Sequence, residues 1–401
     1  MKTKKVVKYN KAVGVLLLIE AIPIAQIIRA LVMQPYMWIS QLILIIAVAI
    51  LFPFSINKIR SVNSDSLLLL FFLLVLFLCS LGYRKGSGNW VYNLFGVVVF
   101  FSLFTNKEKI DLQVISKMGF YISGFISFAC AYVLTEGFAN FLKGINTLYS
   151  ANGVALADRL ILSNVALSSF VFIISYNTKK KTDIFLKILF IVFDCIIFIN
   201  TARRSKAIIF AVMIFLRLDF GRKIKAKKAL YIVFGSICLF VVFFYCVLKF
   251  SWMQEWLLKY INSVYSAISS FLGNSNSGDV SGLTRNTLVK EMAVRMSKWN
   301  IMNFLFGEGY MTLYMDVPFL QVFLDFGLWG FFCFFYLQII IPLKYIFCHH
   351  KNNTHTFLSY FLVSSIINVF FSGIPYGWDK WLYVTMMLCL EKSEREIIYQ
   401  V

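Results

Sequence analysis

An all-helical, polytopic membrane protein is the fold class this sequence predicts, and three observations predict it. Hydrophobic residues make up 60% of the 401 positions, phenylalanine alone accounts for 43, and charged residues make up only 14%, a balance outside that of a water-soluble domain. Apolar runs of about 17–22 residues, the length that crosses a hydrocarbon core about 30 Å thick, alternate with short basic connections along nearly the whole chain. One long polar interruption, from Ser251 to Asp316, stands alone near the carboxyl end. The expectation is a single membrane domain over 1–401 with about twelve transmembrane helices and one extracytoplasmic loop over 251–316.

In order along the chain, spans are expected near 13–33, 37–54, 67–82, 90–105, 118–135, 160–176, 184–200, 207–220, 229–250, 317–341, 356–374 and 376–391. Lys2, Lys4, Lys5, Lys8 and Lys11 precede the first span, and no small-residue cleavage site follows a short apolar core, so the amino terminus is expected in the cytoplasm. The remaining Lys and Arg concentrate in the connections that then fall on the cytoplasmic side. Both termini are therefore expected inside the cell membrane and the long loop outside.

Within the loop, Trp252, Trp256, Leu257, Tyr260, Ile261, Val264, Tyr265, Ile268 and Leu272 recur at helical spacing, which predicts an interfacial helix on the outer leaflet. Asn274 to Gly282 is rich in turn residues, after which Thr284 or Asn286 is expected to cap a second helix running to about Trp299. The run Phe306-Gly307-Glu308-Gly309-Tyr310 breaks that helix, and Asp316 stands where the chain re-enters the membrane.

Composition also narrows the function classes. The formal charge of +20 is distributed in clusters between spans, where it orients the protein and meets anionic lipid rather than nucleic acid. The eight cysteines lie in or beside apolar runs without a CxxC pair, so neither a disulfide framework nor a zinc site is expected. His349, His350 and His355 beside Cys348 have no carboxylate helper, and no metal or other cofactor is expected. Glu20, Arg29, Asp194 and Asp325 fall inside apolar runs, where an unpaired charge is costly, so ion pairing or a wet cavity is expected for each.

A family resemblance rests on the order of several short motifs. Thr201-Ala202-Arg203-Arg204-Ser205 opens a helix, Ser281-Gly282-Leu283-Thr284-Arg285 lies in the long loop, and Phe306-Gly307-Glu308-Gly309-Tyr310 follows. Asp316-Val317-Pro318-Phe319-Leu320-Gln321 then leads to Asp325-Phe326-Gly327-Leu328-Trp329-Gly330. Together with the span count, this order resembles the O-antigen polymerase and ligase (Wzy-type) superfamily over most of the chain. The resemblance implies a metal-independent membrane glycosyltransferase that joins oligosaccharide repeat units carried on undecaprenyl pyrophosphate into capsular, exo- or O-antigen polysaccharide. A chain-length regulator and a flippase of the same pathway are the implied partners. The absence of a dinucleotide-type glycine fingerprint and of a DxD carboxylate pair in the loop fits a lipid-linked donor.

The resemblance also implies site residues. Arg204 and Arg285 match the family's arginines, and a guanidinium offers the bidentate, always-charged contacts that a leaving pyrophosphate needs. Arg203 and Lys206 stand beside Arg204; the alternative for all three is an interfacial anchor, and for Arg285 a solvated helix face. Relatives often carry a histidine followed by asparagine where this chain has Asp316 and Val317. Asp316 either activates an acceptor hydroxyl or caps the tenth span. Arg159 and Asn164 are candidates for a second sugar or phosphate contact, with an interfacial pairing of Arg159 and Asp158 as the alternative. Asp325, close to the loop, completes the set. A ligase shares these motifs, and a lipid-linked oligosaccharide flippase also has about twelve spans and buried charges, although two similar halves are then expected.

The expected topology is directly testable. Single cysteines placed at Ser277 and Asn352 in a cysteine-depleted background should label oppositely with an impermeant maleimide on intact cells, Ser277 reacting and Asn352 protected. Labelling at Asn352 alone would invert the orientation and remove the loop from the outer face.

Overall fold

Every regular element among the described residues is helical. A computed structural model describes residues 2–32, 38–52, 63–82, 89–107, 109–135, 159–201, 204–218, 280–315, 317–348, 356–371 and 374–398, with a few positions between 245 and 265. The amino-terminal helices are α1 (Lys2–Val32), α2 (Ile39–Leu51), α3 (Ser64–Leu81), α4 (Asn89–Thr105), α5 (Leu112–Leu134), α6 (Arg159–Ser175), α7 (Lys181–Thr201) and α8 (Arg204–Leu218). After the long connection come α9 (Val280–Met296), α10 (Ile301–Phe306) and α11 (Pro318–Phe335). A π-helical turn, Tyr336–Ile340, joins α11 to α12 (Ile341–Cys348), followed by α13 (Thr356–Phe371) and α14 (Trp378–Ile398).

Val6–Val32, Ser64–Leu81, Leu112–Leu134 and Pro318–Phe347 are long and apolar enough to cross a membrane, and Ile39–Leu51, Trp90–Thr105, Ile161–Ser175 and Thr356–Phe370 are shorter apolar helices. This is the profile of an all-helical protein embedded in a membrane. The expected span at 229–250 and the expected interfacial helix from Trp252 to Leu272 fall largely outside the described residues.

Local chemistry sets several helix starts. Asn63 Oδ1 accepts from Ser66 N at 2.8 Å, Asp111 Oδ1 from Gln113 N at 3.0 Å, and Asn300 Oδ1 from Asn303 N at 2.8 Å; each satisfies an amide that has no partner within its own helix. The basic amino-terminal run is used structurally as well. Lys11 Nζ donates to the carbonyls of Ile50 and Phe52 at 2.9 Å, closing the carboxyl end of α2, and Lys8 pairs with Asp111 at 3.1 Å. One expected cap is corrected: the second loop helix begins at Val280, so Thr284 and Asn286 lie inside α9 rather than ahead of it. The N-cap of α11 is Val317, with Pro318 in the first turn, and Asp316, whose alternative reading is a cap of this helix, lies outside the described residues.

Packing gathers the helices into two groups that share one hydrophobic core and are joined by α13 and by a contact of α2 with α4. Helix α1 lies against α2, α5 and α6, and α5, α6 and α7 pack on one another. Helices α3, α4 and α14 form the second group, with Phe72 and Phe334 against Trp381 at centroid distances of 5.3 and 5.6 Å. Helix α13 touches α6 and α8 on one side and α11 and α14 on the other, and so joins the two groups.

The carboxyl-terminal part of the expected outer loop folds back along α11. Gly327, at φ 63° and ψ −154°, interrupts α11, about 13 Å along the helix from Pro318 at 1.5 Å per residue. Gly307, at φ 79°, lies against that interruption. A Cβ on Gly307 would sit 2.3 Å from the carbonyl carbon of Asp325, and one on Gly327 would sit 2.5 Å from that of Leu305. Only backbone fits between them. Glu308 N donates to Leu324 O at 2.8 Å and Gly309 N to Asp325 O at 3.0 Å, so the two chains bond directly. Tyr310 is buried beyond the contact, receiving a hydrogen bond from Asn93 Nδ2 at 3.1 Å and lying against the Tyr376 ring at 4.9 Å.

Gly327→Ala should therefore be severe, because a backbone region open essentially to glycine alone costs on the order of 1–3 kcal/mol for another residue and the new methyl meets backbone. Gly96→Ala is the control, its Cβ meeting Leu73 Cδ2 at 3.5 Å and Trp378 Cβ at 3.9 Å, both ordinary van der Waals contacts. The expected result is a lowered melting temperature and loss of monodisperse protein in detergent for Gly327→Ala alone. Equal stability of the two variants would contradict the backbone contact.

Candidate functional site

Asp325 organises the end of the loop. Its side chain is fully buried, and Gln321, one helical turn earlier on α11, donates Nε2 to both carboxylate oxygens at 2.9 Å. Tyr376 OH donates to Oδ2 at 2.5 Å and Met311 N to the same oxygen at 2.9 Å. Gln321 continues the set, accepting from Met315 N at 2.5 Å and donating to Leu313 O at 2.9 Å. Loop backbone that would otherwise be buried without partners is thus satisfied by two side chains of α11. Glu308, at the start of this segment, accepts from Trp299 Nε1 at 2.6 Å and from Arg295 at 3.3 Å. Hydrogen bonds to Glu291 and then Glu308 hold the Arg295 guanidinium above its ordinary pKa. These contacts tie α9 to the loop, as does Met292 packed with Met315 and Leu324.

The loop ends at a cavity of about 450 Å³ whose lining is mixed, more apolar than polar. Its walls come from α1, α6, α8, α13 and the start of α14, with Tyr314 of the loop at its edge. Asn164 and Ser168 of α6, Lys206 of α8, Ser364, Ser365 and Asn368 of α13, and Asp379 and Lys380 of α14 supply the polar lining. Lys206 is only 2% exposed, and its Nζ lies 3.4 Å from Asn368 Oδ1. Asn368 in turn donates to Ser364 Oγ at 3.3 Å. Gln338, in the π-helical turn, braces the wall from behind by accepting from Ser365 Oγ at 3.2 Å and donating to Lys380 O at 3.1 Å. On α1, Pro23 cannot donate to the carbonyl of Ile19, and both residues line the cavity.

A partly open cavity with a buried ammonium, side-chain amides and hydroxyls has the chemistry to hold an anionic group and to read hydroxyls by hydrogen bonding. Helix α8 begins at Arg204, two residues before Lys206. The unpaired amides of that first turn add a positive pole at the same place.

The residues expected from sequence distribute unevenly around this cavity. Asn164 lines it. Arg204 and Arg159 are the first residues of α8 and α6, and Arg285 lies in the second turn of α9; their side chains are outside the described residues. Arg203 and Asp316 are outside them altogether, as are His349, His350 and His355. Asp325 faces the loop rather than the cavity, and its partners are neutral donors. Ion pairing, expected for the intramembrane charges, gives way to hydroxyls at Glu20 and Asp194 too: Ser123 Oγ and Ser127 Oγ donate to them, each at 2.6 Å. Among the described residues, no cluster of histidine, cysteine and carboxylate side chains is arranged to hold a metal.

Sequence reasoning missed Lys206, Gln321 and Tyr376. Gln321 carried a usable signal, since a glutamine one turn ahead of an aspartate in an apolar run is placed to bond it. Lys206 had its place beside Arg204 and nothing more. Comparison with models of known protein families and with curated proteins gives no match for this chain.

Proposed function

We propose that the protein is a membrane glycosyltransferase that polymerises undecaprenyl-pyrophosphate-linked oligosaccharide repeat units on the outer face of the cell membrane. The supporting observation is Lys206, buried at a cavity it lines with Asn164 and Asn368, in the first turn of the helix that opens on Arg204. In this reaction a sugar hydroxyl of one lipid-linked unit attacks the anomeric carbon of the growing chain. The bond from that carbon to the pyrophosphate oxygen breaks, and undecaprenyl pyrophosphate leaves with the developing negative charge. Lys206, the amino end of α8, Arg204 and Arg285 are the groups proposed to carry that charge, because fixed cations in a water-poor site stabilise it without reorganisation. Asn164, Asn368 and Tyr314 are proposed to orient sugar hydroxyls, and Asp316 to orient or deprotonate the attacking one. Arg203 and Arg159 are assigned to the mouth of the donor site.

A second reading, a transporter of lipid-linked oligosaccharides, is favoured by one specific feature. An interrupted helix such as α11, with irregular backbone packed into its break, is a device transporters use at their binding sites. A ligase that passes finished polymer to a final acceptor would use the same leaving-group contacts.

Purified protein in lipid nanodiscs, given lipid-linked repeat units, should release polymer that a gel resolves by length. Lys206→Ala, Arg204→Ala and Arg285→Ala should each slow polymerisation by about 100-fold or more, the loss that follows removal of one fixed charge-stabilising group. Arg204→Lys should recover activity only in part, because it lacks the planar fork. Wild-type rates in all three alanine variants would remove the cationic site. A null strain accumulating lipid-linked units in the cytoplasm would select the transporter, and one accumulating unattached long polymer would select the ligase.

A further inference from the structure

A second polar cluster lies behind the cavity wall, among α1, α5, α6 and α7. Glu20 of α1 is fully buried and Asp194 of α7 is 4% exposed, and the two are close enough for the charge of Glu20 to act on Asp194. Each receives one short hydrogen bond from α5, where Ser123 and Ser127 are one helical turn apart. The α6 hydroxyls of Ser168 and Ser169 face Glu20 and Asp194 respectively. Three buried oxygens make no close hydrogen bond: Glu20 Oε2, Asp194 Oδ2 and Ser169 Oγ, the last on a fully buried side chain within weak hydrogen-bonding reach of Asp194.

Two neighbouring carboxylates among apolar helices would each pay the desolvation of a charge and repel the other. Among the described residues, the titratable groups beside the pair are Cys130 on α5, Cys195 on α7 and Tyr383 on α14, none of them a cation. Neutrality therefore has to come from bound positive charge, and a hard cation takes oxygen ligands. Three such oxygens fall well short of the six to eight that calcium takes. A route exists, because Ser168 faces Glu20 on one side and lines the cavity on the other.

We propose that Glu20, Asp194 and Ser169 form a monovalent cation site reached from the cavity through Ser168. Its occupants are two protons, or one sodium ion with one proton, either of which makes the pair of acids neutral. The site is independent of the polymerase reading, and its test uses binding rather than turnover.

Dicyclohexylcarbodiimide adds to a protonated carboxyl in apolar surroundings and leaves a stable acylurea. Full-length protein in nanodiscs should carry that adduct on Glu20 or Asp194, read by peptide mass spectrometry. Sodium occupancy predicts about tenfold less adduct on the acid that holds the ion, the other keeping its proton and its reactivity, when sodium chloride replaces choline chloride at ten times the dissociation constant, with a raised melting temperature. Proton occupancy predicts adduct that falls as pH rises and ignores sodium. The Glu20→Gln/Asp194→Asn double variant keeps the shapes and removes the acids; it should fold, take no adduct at either position and lose the sodium and pH dependence of its melting temperature. The proposal is overturned if wild-type protein takes no adduct at either residue while its melting temperature is indifferent to sodium and pH. It is equally overturned if the double variant retains the wild-type dependence.

Discussion

The backbone contact between Gly307 and the interruption at Gly327 is the constraint on which the carboxyl-terminal half of the structure depends. A helix inside a bilayer cannot stop without leaving amides and carbonyls that water does not reach, and α11 stops at Gly327. The segment from Glu308 to Met315 supplies the missing partners at Leu324 and Asp325, and receives its own from Gln321 and Asp325. Neither half is satisfied alone. Once docked, the segment sets Tyr310 against Tyr376 ahead of α14 and brings Tyr314 to the edge of the cavity. The cavity is thus shaped by a contact made away from it.

Polar groups inside the bundle are met chiefly by neutral donors. Glu20 and Asp194 use serine hydroxyls, and Asp325 uses a glutamine, a tyrosine and a backbone amide. Such pairings desolvate one ionisable group rather than two, which is the cheaper arrangement where the medium is apolar. Lys206, a buried cation, is set among amides and hydroxyls at the cavity rather than in the helix-packed interior. That division separates interior groups that hold helices together from a lining that faces open volume.

Much of the helical framework was legible because bilayer thickness imposes run length, and Asn63, Asp111 and Asn300 cap helices for the reason their side chains imply. The start of α9 was misread because Thr284 and Asn286 are good caps in isolation, while the helix gains two more turns by beginning at Val280. The break at Phe306 to Tyr310 was visible as glycine punctuation, but its docking onto Gly327 was not. Two glycines facing each other leave no side-chain pattern, only room for backbone. Lys206 was illegible for another reason: its burial depends on Asn368, 162 residues away. Thr201 to Lys206 reads equally well as an anchor at the interface or as the wall of a site, and only tertiary packing separates the two.

Helix α13 carries the architecture's main functional consequence. It contacts helices of both groups, and Ser364, Ser365 and Asn368 stand along it where it borders the cavity. The cavity is consequently bounded by α1, α6 and α8 of one group and by α14 of the other. Any sliding of one group against the other changes the distance between Asn164 and Asp379 across it. Gln338 resists such sliding through its bonds to α13 and α14, and it sits in a π-helical turn, where the ladder is already irregular and a change of register is least costly.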